Sequence, residues 1–253
     1  MSSLVSVVGD GFVDDWKTRI ISNNDRLAKF HAKFWGVADT GGEREDDNDM
    51  EIDDSAAEDD DIIPGCYVLD SGIRGAEGKI GVRADYIRIF RFAEKFYTKH
   101  VSNSLSPCLV ITGQPGIGEL FDVVIMLILL TYHILLLGKT LWRWYALRVC
   151  CAQKKPVIFY QDNVCWLFVE EGVFEQPTSF HAWQYNTIIW TLVDSVDTPT
   201  PSGLPTGLTT HGTQHFIIYT TPPTPLRWSK LHQSMLRTVC VMNPWTKAEI
   251  HRA

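Results

Sequence analysis

The sequence lacks the cysteine and histidine spacings of a metal or redox site. Its six cysteines are Cys66, Cys108, Cys150, Cys151, Cys165 and Cys240, and no two form a C-x-x-C pair. That excludes a zinc ribbon and a thioredoxin-type motif. Several fall in apolar runs, so buried free thiols in a reducing compartment are expected. His181, His211 and His215 have no ligand spacing either. The opening stretch MSSLVSVVGDGFVDDW has no basic n-region and no long apolar h-region. No secretory signal is visible, and a cytoplasmic or nuclear location is expected.

A long apolar run is missing too. Val123–Leu137 covers 15 residues and is interrupted by Thr131-Tyr132-His133. A bilayer span needs about 20 apolar residues. Glu119 and Asp122 stand where a positive flank would be. A membrane-tethered adaptor using 123–137 is therefore the alternative reading rather than the main one. Basic charge is also scarce overall, with a net charge of −7, but the acidity is local. Residues 43–61 hold twelve of the thirty Asp/Glu and one of the twenty-three Lys/Arg, which leaves 22 basic against 18 acidic side chains elsewhere. Such a block reads as a solvated, disordered linker. Docking on a basic partner or mimicry of nucleic acid is its functional alternative.

What the chain does hold is a phosphate-binding loop in two pieces. Gly113-Gln114-Pro115-Gly116-Ile117-Gly118 follows the apolar run Cys108–Thr112. Lys139-Thr140 comes after twenty further residues and opens the helix-like stretch 141–152. Without residues 119–138 the join reads GQPGIG-KT, which fits G-x-x-x-x-G-K-[ST] between a strand and a helix. In such a loop, backbone N–H groups curl round the β-phosphate, the Lys reaches the β/γ oxygens and the Thr hydroxyl holds Mg²⁺. Gly113, Gly116, Gly118, Lys139 and Thr140 are therefore the nucleotide candidates, with Thr140 also a metal candidate. A 20-residue gap between Gly118 and Lys139 breaks that geometry.

The insert has its own signature. Gly-Glu-Leu can be encoded with a donor-like GTGAGT, Leu-Thr with a branch-like CTAAC, and Leu-Gly with an acceptor-like TTAGG. T-rich intron sequence translates into Leu, Ile, Phe and Val, the composition seen. Our hypothesis is a translated retained intron or a gene-model error at 119–138. Genomic DNA lacking donor and acceptor signals there would overturn it.

Periodicity predicts helices over Asp14–Phe34 and Gly81–His100, the latter packing on a sheet with adenine contact as the minor alternative. Strands are predicted at Cys108–Thr112, Val157–Gln161, Thr187–Asp194, His215–Thr221 and Thr238–Met242. Cys165–Glu170 reads as an added hairpin strand. Thr140–Gln153 and Trp228–Leu236 read as helices, and Thr198–Thr213 as a Pro/Gly/Thr-rich loop. Continuously apolar strands separated by helices imply a parallel sheet buried on both faces. The expected class is α/β, a parallel-sheet P-loop NTPase. An N-terminal helical segment spans 1–40, the acidic linker 41–64 and the NTPase-like domain 65–253.

Asp194 ends an apolar strand in the manner of a Walker B carboxylate, which holds Mg²⁺ through water. Asp197 is the nearest candidate for orienting an attacking water, with a turn role as its plainer reading. In ATPases with an extra strand between P-loop and Walker B, a polar strand end senses the γ-phosphate. Thr220 or Thr221 can fill that place, or simply end a strand. Arg227 reads as a surface residue before it reads as a charge-stabilising finger. Trp183, Trp190, Trp228 and Trp245 read as core or rim, so nucleic acid as a partner has no support in the sequence.

The segment from about Ala84 to Ala253 resembles the P-loop modules of retrotransposon-hot-spot and Crinkler-type proteins. The residues that carry the resemblance are CLVITGQPGIG with KT, LWRWYALR, KKPVIFY, IIWTLVDS, HFIIYTTPP and MNPWTKAEI. It implies a STAND/AAA-like ATPase module, usually attached to other domains. ATP and Mg²⁺ would be held by Gly113, Gly116, Gly118, Lys139, Thr140 and Asp194. The family pattern also leads us to expect truncation, because the chain stops where MNPWTKAEI opens a helix, short of a lid and an effector nuclease. The expected function is an ATP-binding, ATP-hydrolysing module of a switch or effector protein with an unidentified protein partner, impaired here by the split loop. A truncated, non-enzymatic paralogue is the alternative.

Overall fold

The computed structural model describes residues 3–37, 67–70, 79–102, 105–113, 137–161, 164–176, 185–195, 214–223 and 235–244, with Leu208, Pro225 and Trp228. At 67–70, 79–80 and 137–140 it describes the backbone alone. The acidic block 43–61, residues 119–136 of the insert, Gly116, Gly118, Asp197 and Arg227 lie outside the described residues.

Short helical turns open the chain: α1 (Leu4–Val7), a 3₁₀ turn (Asp10–Phe12) and α2 (Val13–Lys17), followed by α3 (Arg26–Phe34). A small antiparallel pair, β1 (Tyr67–Asp70) and β2 (Lys79–Val82), precedes α4 (Ala84–His100). Next come β3 (Ser106–Gly113), α5 (Leu137–Ala152), β4 (Val157–Gln161), β5 (Val164–Val169) and β6 (Gly172–Gln176). The last strands are β7 (Ile189–Asp194), β8 (His215–Thr221) and β9 (Met235–Met242).

Seven strands make one sheet in the order β6-β5-β4-β7-β8-β3-β9. The pairs β4/β7, β7/β8, β8/β3 and β3/β9 are parallel; β5 and β6 are antiparallel. The fold class is thus α/β with a mostly parallel sheet. Every residue of β7 and β8 is buried, which is why both strands read as unbroken apolar runs. One face carries α3, α4 and α5, with Tyr86, Ile89, Trp142 and Leu147 against Leu109, Leu192 and Ile218. The opposite face carries Leu4, Val7, Val13 and Trp16 against Val110, Ile158 and Ile217. Residues from the first 34 positions thus lie in both clusters.

Four elements differ from the sequence reading. The single helix expected over Asp14–Phe34 is two, α2 and α3. Between them the chain is extended, and it hydrogen-bonds to the outer edge of β6 through Ile21 N–H to Val173 O (3.0 Å) and Glu175 N–H to Arg19 O (2.9 Å). The second helix restarts because the Asp25 carboxylate caps it, accepting from Leu27 N at 2.7 Å. Gly81 belongs to β2, and α4 starts at Ala84. The helix expected over Trp228–Leu236 ends in strand instead: Met235 and Leu236 already pair with Ser106 and Pro107 of β3. The sheet is not wholly parallel, because β5 runs antiparallel to β4 and forms a hairpin with β6, whose first residue, Gly172, has φ +143°. That φ favours glycine.

Candidate functional site

Parallel strands end together. The carboxyl ends of β9, β3, β8, β7 and β4 therefore form one edge, the usual place for a ligand in an open α/β sheet. Of the residues singled out in the sequence, Gly113 ends β3, Asp194 ends β7, and Thr220 is the penultimate residue of β8 between them. Asp194 is level with Thr220 and Ile111, so Gly113 stands two strands across and two residues further along, roughly 12 Å away.

The local register explains each position. Gly113 pairs with Met242. A Cβ on Gly113 would stand 3.1 Å from the Met242 Cβ and 3.3 Å from its carbonyl oxygen. Close approach of β9 thus favours glycine at the point where the glycine-rich segment begins. Asp194 pairs with Thr220. By strand alternation both lie on the face of Leu192 and Ile218, which is the face that α5 covers. Both are buried. The Thr220 hydroxyl donates to Val193 O at 3.3 Å, and Ser195 N–H donates to Thr220 O at 2.9 Å, which holds the two strand ends in register. Thr112 pairs with Thr221 on the opposite face. Their hydroxyls are buried and have no hydrogen-bond partner among the described residues.

Lys139 and Thr140 lie in the first turn of α5. The Arg143 guanidinium, one turn further, donates to Tyr160 O at 2.7 Å and lies 4.4 Å over the Phe159 ring. Tyr160 is next to last in β4, so α5 begins over the carboxyl edge and runs back across the sheet. Its N-terminus, with the positive end of the helix dipole, is at the same edge as Gly113, Thr220 and Asp194. Trp142 Nε1 donates to Tyr86 O at 3.2 Å and fixes α5 against α4. Gly116, Gly118 and Asp197, which complete the candidate set, lie outside the described residues.

One polar cluster at this edge escapes sequence reading. Asp85 in the first turn of α4 accepts from Arg88 Nε (2.6 Å), Asn243 N (2.8 Å) and Asn243 Nδ2 (3.1 Å). Arg83 Nη2 donates to the carbonyls of Asn243 (2.9 Å) and Pro244 (2.8 Å). Together they tie the start of α4 to the end of β9. The only local signal is an acidic residue beside a helix start; the partner is 158 residues away.

No group of three or more His, Cys, Asp or Glu side chains is placed to hold a metal among the described residues. His215 is committed elsewhere: its Nδ1 lies 3.0 Å from the Thr191 hydroxyl at the amino end of β8, and burial pushes its pKa down to about 4. Cys108, Cys150, Cys151, Cys165 and Cys240 are free and buried. Burial pushes the Cys108 and Cys150 thiols up to about 12, so neither is a thiolate nucleophile at neutral pH. No helix among the described residues is long and apolar enough to cross a membrane. Compared with protein-family models, with curated proteins and with solved structures, the chain matches none.

Proposed function

We propose that the chain is an ATP-binding module of the P-loop kind, built for hydrolysis and impaired in this form by the separation of Gly118 from Lys139. The observation that carries the reading is the strand order β9-β3-β8-β7-β4. The strand leading into GQPGIG is separated from the strand ending in Asp194 by one strand, and that strand ends in Thr220-Thr221. This is the arrangement in which a γ-phosphate sensor stands between P-loop and Walker B.

The residues present fit the implied group. A buried carboxylate, a strand-end glycine and a helix N-terminus share one edge, and the described residues bring no cluster of three or more acids or other metal ligands to it. One carboxylate suits Mg²⁺, which keeps several waters and takes its other ligands from phosphate. When bound, Mg²⁺–ATP would supply the transferable phosphoryl group. Lys139 would hold phosphate oxygens, Thr140 and Asp194 would hold the metal, and Thr220 would read the terminal phosphate. Asp197 is the candidate for orienting water.

The twenty intervening residues favour a second reading, a chain that binds no nucleotide as written. One experiment separates the two. The 253-residue form is expected to bind Mg²⁺–ATP weakly, and deleting 119–138 is expected to restore micromolar binding, about −8 kcal/mol. In the deletion form, Lys139→Ala should cost roughly 1.5–3 kcal/mol, the value of a charge-assisted contact. Equal affinity with and without Lys139, measured by calorimetry, would remove the P-loop from the account. Micromolar binding by the undeleted chain would show that the gap does no harm.

A further inference from the structure

Helix α4 presents an exposed stripe with no partner assigned to it. Arg91, Lys95 and Lys99 recur at four-residue spacing and are exposed, with Phe92 beside them at 38% exposure. Residues at this spacing share one face of a helix. Among the described residues the three cations have no ion pair. Both acids of the helix are already engaged: Asp85 with Arg88 and Asn243, and Glu94 with Lys155 Nζ (3.2 Å) and Gln153 Nε2 (3.3 Å).

The same chain carries the complementary charge, between the described residues Val37 and Tyr67. Val37 lies at the C-terminal end of α5, where Gly36 N–H donates to Cys151 O (2.9 Å) and Arg148 Nη1 to Val37 O (3.4 Å). Glu94 meets Gln153 and Lys155 at that same end of α5. The chain is next described at Tyr67, which pairs with Val82 just before α4 begins. The described chain thus stops at Val37, at the C-terminal end of α5, and resumes at Tyr67, whose partner Val82 lies just before α4. At 1.5 Å per residue the 17-residue helix is about 26 Å long, and 29 residues span far more than that when extended, so they reach any part of it.

We propose that the α4 stripe of Arg91, Lys95 and Lys99 is the intramolecular docking surface for the acidic segment 43–61. Tethering at both ends sets an effective concentration of the order of millimolar, and opposite charge supplies the attraction. The occupant is thus part of the chain itself, ahead of a nucleic acid or a second copy. The surface is shielded from other polyanions while the segment occupies it.

Zero-length carbodiimide coupling of the full chain, with peptide mapping by mass spectrometry, tests this. Lys95 and Lys99 should couple to carboxylates of 43–61 at roughly ten times the yield of Lys17, which lies on the other face of the sheet. The preference should vanish in about 1 M salt, where the screening length falls to about 3 Å. In a mixture of isotopically light and heavy chains the products should be unmixed. Equal yields at Lys17 overturn the proposal. Mixed-isotope products assign the stripe to a second copy, and loss of coupling on adding a stoichiometric single-stranded oligonucleotide assigns it to nucleic acid; either overturns the segment as occupant. Arg91→Glu, at an exposed position that leaves the fold intact, should lower coupling at Lys95 and Lys99 several-fold and leave Lys17 unchanged.

Discussion

The two ends of the parallel strands bury polar groups in different ways. At the amino end, Thr191 on β7 and His215 on β8 meet each other at 3.0 Å, with the Tyr185 ring edge-on to the imidazole at 5.5 Å. That pair is buried in the core. At the carboxyl end, Thr112 and Thr221 bury hydroxyls with no partner among the described residues, and Asp194 buries a carboxylate beside Thr220. A buried unpartnered hydroxyl costs about 1–3 kcal/mol. At the amino end the Tyr185 hydroxyl, with no partner among the described residues, carries that cost too; at the carboxyl end it falls beside the buried Asp194. The carboxyl end tolerates a loss of stability, as sites do when they keep polar groups ready for something else.

Acid should break the amino end first. His215 has a folded pKa of about 4 against 6.5 in the unfolded chain. The imidazole is held neutral by burial, so its contribution is complete above pH 6.5. Below that the unfolded chain takes up a proton that the folded chain refuses. Stability should fall between pH 6.5 and 4, by about 3 kcal/mol at the end of that window. His31 is shifted downward for the same reason, desolvation, and adds to the loss. Urea titrations at pH 7.5 and 4.5 measure it, and His215→Phe should flatten the dependence. A pH-independent midpoint would mean that the His215 site admits water.

The carboxyl end should respond in chemistry rather than in stability. In the form lacking 119–138, Asp194→Asn is expected to lower Mg²⁺-dependent turnover about 100-fold, or roughly 2.7 kcal/mol, and to leave the nucleotide-free melting temperature nearly unchanged. Metal-free nucleotide binding should hardly move. Unaltered turnover with a lower melting temperature would make Asp194 a structural acid like Asp85 and erase the contrast between the ends.

The smallest effect sharpens the comparison most. Thr221→Val keeps the shape and removes a fully buried hydroxyl that has no partner among the described residues. It should stabilise the fold by about 1 kcal/mol. Thr191→Val deletes the partner of His215 and should destabilise by about the same amount. If Thr221→Val instead lowers the melting temperature, the hydroxyl has a structural partner beyond the described residues.

Much of this was legible in the sequence because it is written locally. The strands at Val157–Gln161 and His215–Thr221 are built on the apolar runs VIFY and FIIY with polar residues at their ends, and the structure gives both the same bounds. Asp194 and Thr220 were visible as polar ends of such runs. Long-range pairing was not. Nothing near Arg19, Ile20 and Ile21 announces that they bond to β6, so the helical spacing of Trp16, Ile20 and Leu27 read as one helix. β6 itself, GVFEQ, is too short and too mixed to signal a strand. The start of β9 was hidden because Trp228 and Leu236 share a helical spacing, although the pairing of Met235 with Ser106 decides the conformation. The Asp85–Asn243 contact joins residues far apart in sequence, and neither is unusual in its own neighbourhood.

The closure of the β6 edge also sets an order of events during synthesis. Arg19 and Ile21 are made early, but the strand they bond to is complete only at Gln176. Trp16 waits longer still, for Tyr185, and the apolar side of α3 waits for Phe159 and Val173. These residues are therefore made long before they can find their places. The emerging chain must keep those apolar side chains out of reach of other partners for more than 150 residues of growth.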